Sequence, residues 1–164
     1  MKALLPLLCL TMLSACLTNP SRTENTYYQN AKLIEEHPYV LPGDSLVFLR
    51  YHQAEDKENV MDDEYAEALY FQVPDTTQFH YEGADQLRQL KIRLYPYCFC
   101  MEAVGNTIEG GKISGTRSNG NWRISADIDL RIIYAYDQDS TYLGQRINRT
   151  FSGTFHQEAI PAGR

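Results

Sequence analysis

Apolar and polar residues alternate with a period of two along much of the chain, the period of a strand that buries one face. The clearest run is Trp122 to Ile132. There Trp122, Ile124, Ala126, Ile128, Leu130 and Ile132 alternate with Arg123, Ser125, Asp127, Asp129 and Arg131. Such a strand packs one face on a core and turns the other to water. Just before it, Ser118-Asn119-Gly120-Asn121 puts Asn-Gly at the centre of a two-residue hairpin, where both positions need φ > 0. The turn sets the register: Arg117 faces Trp122, Gly115 faces Ile124 and Ile113 faces Ala126. The space over Gly115 is expected to take the Trp122 ring. Arg146 to Gln157 repeats the alternation after a polar connection from Asp137 to Gln145. Ile147, Phe151 and Phe155 point inward, and Asn148, Thr150, Ser152, Thr154 and His156 outward.

Earlier segments are less regular. Pro42-Gly43-Asp44 signals a turn, and Ser45 to Gln53 reads as a strand with Leu46 and Phe48 on one face and Val47, Leu49 and Tyr51 on the other. Apolar residues on both sides imply a strand covered on both faces. From Tyr65 to Val73, Ala66, Ala68 and Leu69 favour a helix while Tyr70, Phe71 and Val73 favour a strand. We read a strand from Glu67, ended by Pro74-Asp75, then a short strand from Gln78 to Glu82 and a turn at Gly83-Ala84-Asp85. Leu90 to Ala103 is a long aromatic strand broken by Pro96, which marks an edge or a bulge because proline donates nothing to a ladder. Leu94, Cys98 and Cys100 face one way; Tyr95, Tyr97, Phe99 and Met101 face the other. At the start of the folded part, Tyr27, Ala31 and Ile34 have helical spacing, so a short helix is expected over Thr26 to Glu36, stopped by His37-Pro38.

Together these elements predict an all-β fold with six to seven antiparallel strands, the last three forming a C-terminal meander, and at most one short N-terminal helix. A sandwich is the first choice and a small, partly closed barrel the second.

The opening residues follow another logic. Lys2 supplies a positive start, Ala3 to Leu13 an uncharged apolar run, and Ser14-Ala15 small residues suited to cleavage, the pattern of an export signal. The run is too short to span a bilayer, which takes ~20 apolar residues. Leu13-Ser14-Ala15-Cys16 resembles the lipobox of bacterial lipoproteins. The resemblance covers the leader alone. It implies cleavage before Cys16, acylation of that residue and a stable membrane anchor, since several acyl chains hold where one does not. Leu17 stands where that class carries an acidic signal for inner-membrane retention, which implies an outer-membrane location. The expected organisation is a signal peptide over 1–15, a polar tether over 16–30 and a single β domain over 31–164. Without the leader, 164 − 15 = 149 residues remain, the size of one domain. Only Lys2 is lost among the charges, so 14 basic and 21 acidic side chains give 14 − 21 = −7. A chain this acidic repels phosphate backbones, which argues against nucleic acid as a partner.

Candidate chemistry is sparse. Cys98 and Cys100, two apart on a strand, sit ~6.6 Å from each other, too far for the ~3.8 Å between Cβ atoms that a disulfide prefers. They read as buried thiols, with metal binding the second choice. Glu55 to Glu64 holds six acids and one Lys and reads as a solvated loop. Nucleophile elbow, phosphate loop, His-Glu-x-x-His and paired-Cys zinc spacing are all missing, and His37, His52, His80 and His156 are scattered. No catalytic residue, metal or cofactor is therefore assigned, and an enzyme is not expected. Asp127 and Asp129 share a face with Arg123 and Arg131, which reads as neutralised surface charge. Asp44-Ser45-Leu46, Asp75-Thr76-Thr77 and Asp139-Ser140-Thr141 resemble the O-glycosylation sites of exported Bacteroidota proteins, which would mark Ser45, Thr76 and Ser140.

Two functions remain open. The first is non-enzymatic binding of a partner protein or glycan at the cell envelope, resting on the anchor and on twelve Tyr, a residue suited to contact surfaces. The second is carriage of a small ligand in a cavity between sheets, lined by Tyr95, Tyr97, Phe99 and Trp122. An aromatic core row is the competing account of those four residues.

Overall fold

The computed structural model of the protein describes residues 20–34, 39–55, 65–97, 103–136 and 140–161. Nine strands run through them: β1 (Arg22–Ile34), β2 (Tyr39–Pro42), β3 (Ser45–Gln53), β4 (Ala66–Pro74), β5 (Gln78–Glu82), β6 (Arg93–Tyr97), β7 (Ala103–Ser118), β8 (Asn121–Tyr136) and β9 (Ser140–Gln157). They form one sheet in the order β5-β7-β8-β9-β1-β3-β4-β6, with β2 paired to β1 alone. The sheet is not closed into a barrel; it folds over on itself into the two layers of a sandwich. The bend falls where β1 meets β9 through two parallel pairs, Thr26 with His156 and Tyr27 with Gln157, so the sheet is mixed rather than purely antiparallel. Two more strands are present than predicted, and they come from β1 and β2.

The hairpin of β7 and β8 has the expected register, with Arg117 opposite Trp122, Gly115 opposite Ile124 and Ile113 opposite Ala126. Asn119 and Gly120 both take positive φ, at 51° and 79°, as a type I′ turn requires. The space over Gly115 is filled by Phe79 of β5, not by Trp122. A Cβ at Gly115 would lie 2.5 Å from that ring, so β5 can seat its aromatic side chain only over a glycine. Trp122 points into the centre between the layers. It has no exposed surface there and meets Phe48 edge-on at 5.5 Å and Phe79 at 5.4 Å. Tyr27, Phe71 and Phe155 complete this aromatic centre, and each such side chain contributes roughly 1.5–3 kcal/mol by leaving water.

The segment expected as tether and short helix is strand β1. Arg22 to Tyr28 pair residue by residue with Gln53 to Val47, and a bulge follows before Ala31 pairs with Ser45. Asn30 in the bulge has φ 53°. Tyr27, Ala31 and Ile34, whose spacing suggested a helix, do not share a face: Tyr27 enters the central core, whereas Ala31, beyond the bulge, joins Tyr28 in a second cluster. The described helix lies elsewhere. Ala84–Leu87 is one α turn, α1, continued by a 3₁₀ turn over Arg88–Leu90, where only a turn and the beginning of a strand were expected. It buries Leu87 and Leu90 under the sandwich.

Pro96 lies on β6, an edge strand of the sheet, as its missing donor requires. Across the gap from β6 to β7 the buried Asn106 carboxamide accepts from the Leu94 N–H at 2.9 Å and donates to the Ile92 carbonyl at 3.2 Å. One side chain thus satisfies backbone groups that a closed barrel would have paired by a ladder. Cys16, Cys98, Cys100, Phe99 and the acidic run from Asp56 to Glu64 lie outside the described residues.

Candidate functional site

The outward face of the N-terminal sheet carries the most unusual surface. Cross-strand register places Tyr51 of β3, Ala68 of β4 and Tyr95 of β6 in one row, and Gln53, Ala66 and Tyr97 in the next. Both alanines are buried, with small side chains between larger neighbours. The result is a trough with an alanine floor, Tyr51 on one wall, Tyr95 and Tyr97 on the other, and Tyr70 across the end with Leu49 beside it. Tyr70 meets Tyr95 edge-on at 5.9 Å. Tyr97 is 47% exposed, which is high for a large aromatic side chain.

The trough belongs to a second apolar cluster on this same face, separate from the centre of the sandwich. Tyr28, Ala31, Leu33, Val40, Val47, Ala68 and Tyr70 form it, and Leu49, Tyr51, Tyr95 and Ile160 pack against it. The hydroxyls of this face influence one another. Burial pushes the Tyr70 phenol well above its ordinary value, with Tyr97, Tyr28 and Tyr95 adding to the rise. Burial likewise raises Tyr97, with Tyr51 adding to it. At neutral pH Tyr70 and Tyr97 are therefore uncharged donors and acceptors on flat apolar rings.

The predicted ligand-lining residues are not brought together. Trp122 sits between the layers, whereas Tyr95 and Tyr97 lie on the far side of the N-terminal sheet from it. The aromatic-core account therefore holds for Trp122, and Phe99 lies outside the described residues. Of the O-glycosylation candidates, Ser45 is only 9% exposed, and its hydroxyl bonds Asp44 Oδ1 at 3.0 Å and accepts from Gln72 Nε2 at 3.2 Å. A glycan there would have to displace both. Thr76 is half-buried in the bend between β4 and β5, its hydroxyl donating to the Gln78 carbonyl at 2.9 Å. Ser140 opens β9.

A second feature was missed in the sequence. At one end of the space between the layers, a pocket of about 340 Å³ is lined by Arg50, His52, Tyr65, Glu67, Leu69, Arg149, Thr150 and Phe151. Glu67 is 3% exposed. Arg149 Nε donates to both its carboxylate oxygens, at 2.9 and 2.8 Å, and Tyr65 donates to Oε2 at 2.6 Å. Burial, then the bond to Glu67, pushes the Tyr65 phenol up to about 12. Burial pulls Arg149 down, but its bonds to Glu67 more than offset that and hold it above the ordinary arginine value. A visible signal existed: Arg149 has the strand parity of Ile147 and Phe151, and Arg50 that of Phe48, so both were inward by position.

The polar face of β8 and β9 is arranged differently from the expectation. Asp127 and Asp129 are bridged by the Asn148 amide, at 2.8 and 2.9 Å, and Thr150 donates to Asp127 at 3.0 Å. Those bonds hold the Asp127 carboxyl below its usual value. Arg131 instead pairs with Glu109 at 2.6 Å, as does Arg146 at 2.7 Å. A broader depression of about 780 Å³ surrounds that group, but its charges are mutually paired and it offers no apolar wall comparable to the trough.

Among the described residues no group of three or more His, Cys, Asp or Glu could hold a metal ion, and no helix is long and apolar enough to cross a membrane. The chain matches no family model, and no curated protein or solved structure is similar to it.

Proposed function

We propose that this protein is a non-enzymatic lipoprotein of the bacterial outer membrane, anchored through Cys16, that binds a glycan of the cell envelope in its tyrosine-lined trough. The observation that carries the reading is the row Tyr51, Ala68, Tyr95 with Tyr97 beside it. Sugar rings present apolar C–H faces and a rim of hydroxyls. Flat phenol rings complement both, stacking through the ring and bonding through the hydroxyl. The two alanines are covered by their neighbours, so a chain of such rings would lie across the tyrosine faces above them. Tyrosine also serves protein interfaces; the glycan is preferred because the four tyrosines here offer ring faces and hydroxyls together. The anchor supports the same reading, because it would keep the trough close to envelope polymers.

The test uses full-length protein in detergent micelles on an array of envelope glycans, beside the Tyr51→Ala/Tyr97→Ala double variant. The wild type is expected to retain one glycan class, and the variant to lose it by tenfold or more. Glycan binding that is indifferent to the two substitutions would defeat the assignment to the trough. A protein crosslinked through Tyr97, with no glycan retained, would replace the glycan with a protein partner.

A further inference from the structure

The geometry points to a second binding site, independent of the trough: the pocket between the layers takes a small monocarboxylate on Arg50. Two guanidiniums face one carboxylate there. Glu67 is held by Arg149 and Tyr65, and its Oε1 reaches Arg50 only at 3.9 Å, a long ion pair beyond hydrogen-bond reach. Arg50 instead lies over the Phe151 ring, 5.2 Å from its centre, which fixes the plane of the guanidinium. Burial disfavours its charge; the Glu67 carboxylate offsets part of that and Arg149 adds repulsion. A single anion would relieve that cost.

The energetics of the cluster also favour a ligand role over a structural one. A buried ion pair is a poor stabiliser, because desolvating each charge costs several kcal/mol and an apolar pair of similar volume often does as well. Arg149 and Glu67 already link the two layers, and Arg50, on the same layer as Glu67, adds a long ion pair to it but no further link. Among the described lining residues, Arg50 and Arg149 against Glu67 leave an excess of one positive charge, which matches one carboxylate better than a doubly charged phosphate. Leu69 and Phe151 supply an apolar wall for the body that carries it, and 340 Å³ is at the small end of ligand pockets. His52, held through Nδ1 by Thr23 at 2.9 Å, lines the same space.

The guanidinium Nε–H resonances of full-length protein in micelles report directly on this site during titration with benzoate, benzamide or inorganic phosphate. Benzoate should shift Arg50 and saturate, while benzamide should not, and phosphate should bind more weakly. Arg50→Met keeps an unbranched stem over Phe151 and should weaken benzoate about tenfold or more, the loss expected for a charge-assisted bond. Glu67→Gln removes the competing negative charge while keeping an acceptor for Arg149, and should tighten benzoate. Binding of benzamide as tight as benzoate, phosphate as tight as benzoate, or no shift at Arg50 in the folded wild type would each overturn the proposal. So would unchanged benzoate affinity in Arg50→Met.

Discussion

The two outward faces of the sandwich make opposite use of similar strands. From Arg123 to Asp129 the outward positions of β8 and their partners on β9 are all polar or charged: Arg123, Ser125, Asp127 and Asp129 face Thr154, Ser152, Thr150 and Asn148 across the ladder. These strands bury one side and leave water the other, so their sequences alternate cleanly. On β3, β4 and β6 the outward positions include Leu49, Tyr51, Ala68, Tyr70, Tyr95 and Tyr97, and all but Tyr97 belong to the second apolar cluster or pack against it. The same chain therefore contains a solved problem and an open one. A polar face needs nothing further. A face of half-buried tyrosines holds apolar area in contact with water, which costs roughly 25 cal/mol for every Å² left uncovered. Retaining that surface makes physical sense if something binds it.

The comparison can be broken first at Tyr70, where the difference between the faces is structural. Tyr70→Ala removes a buried ring from the second cluster and should destabilise the domain by about 3 kcal/mol in denaturant unfolding. A loss below about 1 kcal/mol would mean the cluster contributes little to the fold.

Next is alkaline stability. Tyr65, near 12, and Tyr70, Tyr28 and Tyr97, all raised, keep their protons in the folded chain above the ordinary value of 10. The folded state then binds more protons than the unfolded state, so this contribution is complete below pH 10 and is lost as pH rises toward 12. Unfolding should become easier across that window, and Tyr65→Phe should reduce the slope. All four tyrosines lie on the N-terminal sheet or next to it, so a flat stability profile from pH 9 to 11.5 would contradict the environments assigned to them.

Smallest is the effect of trimming the polar face. Ser125→Ala removes an outward hydroxyl and should change stability by less than about 0.5 kcal/mol with no effect on glycan retention. Tyr97→Ala should be similarly mild for stability, because the ring is half exposed, yet weaken retention. Equal behaviour of the two variants in the binding assay would erase the distinction between the faces.

Where local pattern and tertiary role agreed, the sequence was readable. The boundaries of β3 and β5 and the register of the Asn119-Gly120 hairpin follow from turn chemistry and alternation alone. β1 was not readable as a strand because the bulge at Asn30 breaks its alternation, and Tyr27, Ala31 and Ile34 happen to be spaced as on a helix although Tyr27 and Ala31 belong to different clusters. The trough was half legible. Tyr95 and Tyr97 were placed on one face, but Ala66 and Ala68 looked like helix formers, and only the pairing of β4 with β6 reveals them as its floor. The Arg50, Glu67 and Arg149 group was visible as three charged residues at inward parity. Their meeting depends on how the two layers stack, which no local spacing encodes.

The central claim, that the tyrosine-lined face is the binding surface, is tested most directly by fluorine NMR of 3-fluorotyrosine-labelled full-length protein in micelles. The titrant is the envelope glycan fraction that it retains. The account predicts that the resonances of Tyr51, Tyr95 and Tyr97 shift and saturate together. Tyr81 and Tyr134, which pack against the central core, should stay in place. Shifts confined to Tyr81 and Tyr134, or no shift at Tyr97 on saturation, would contradict it.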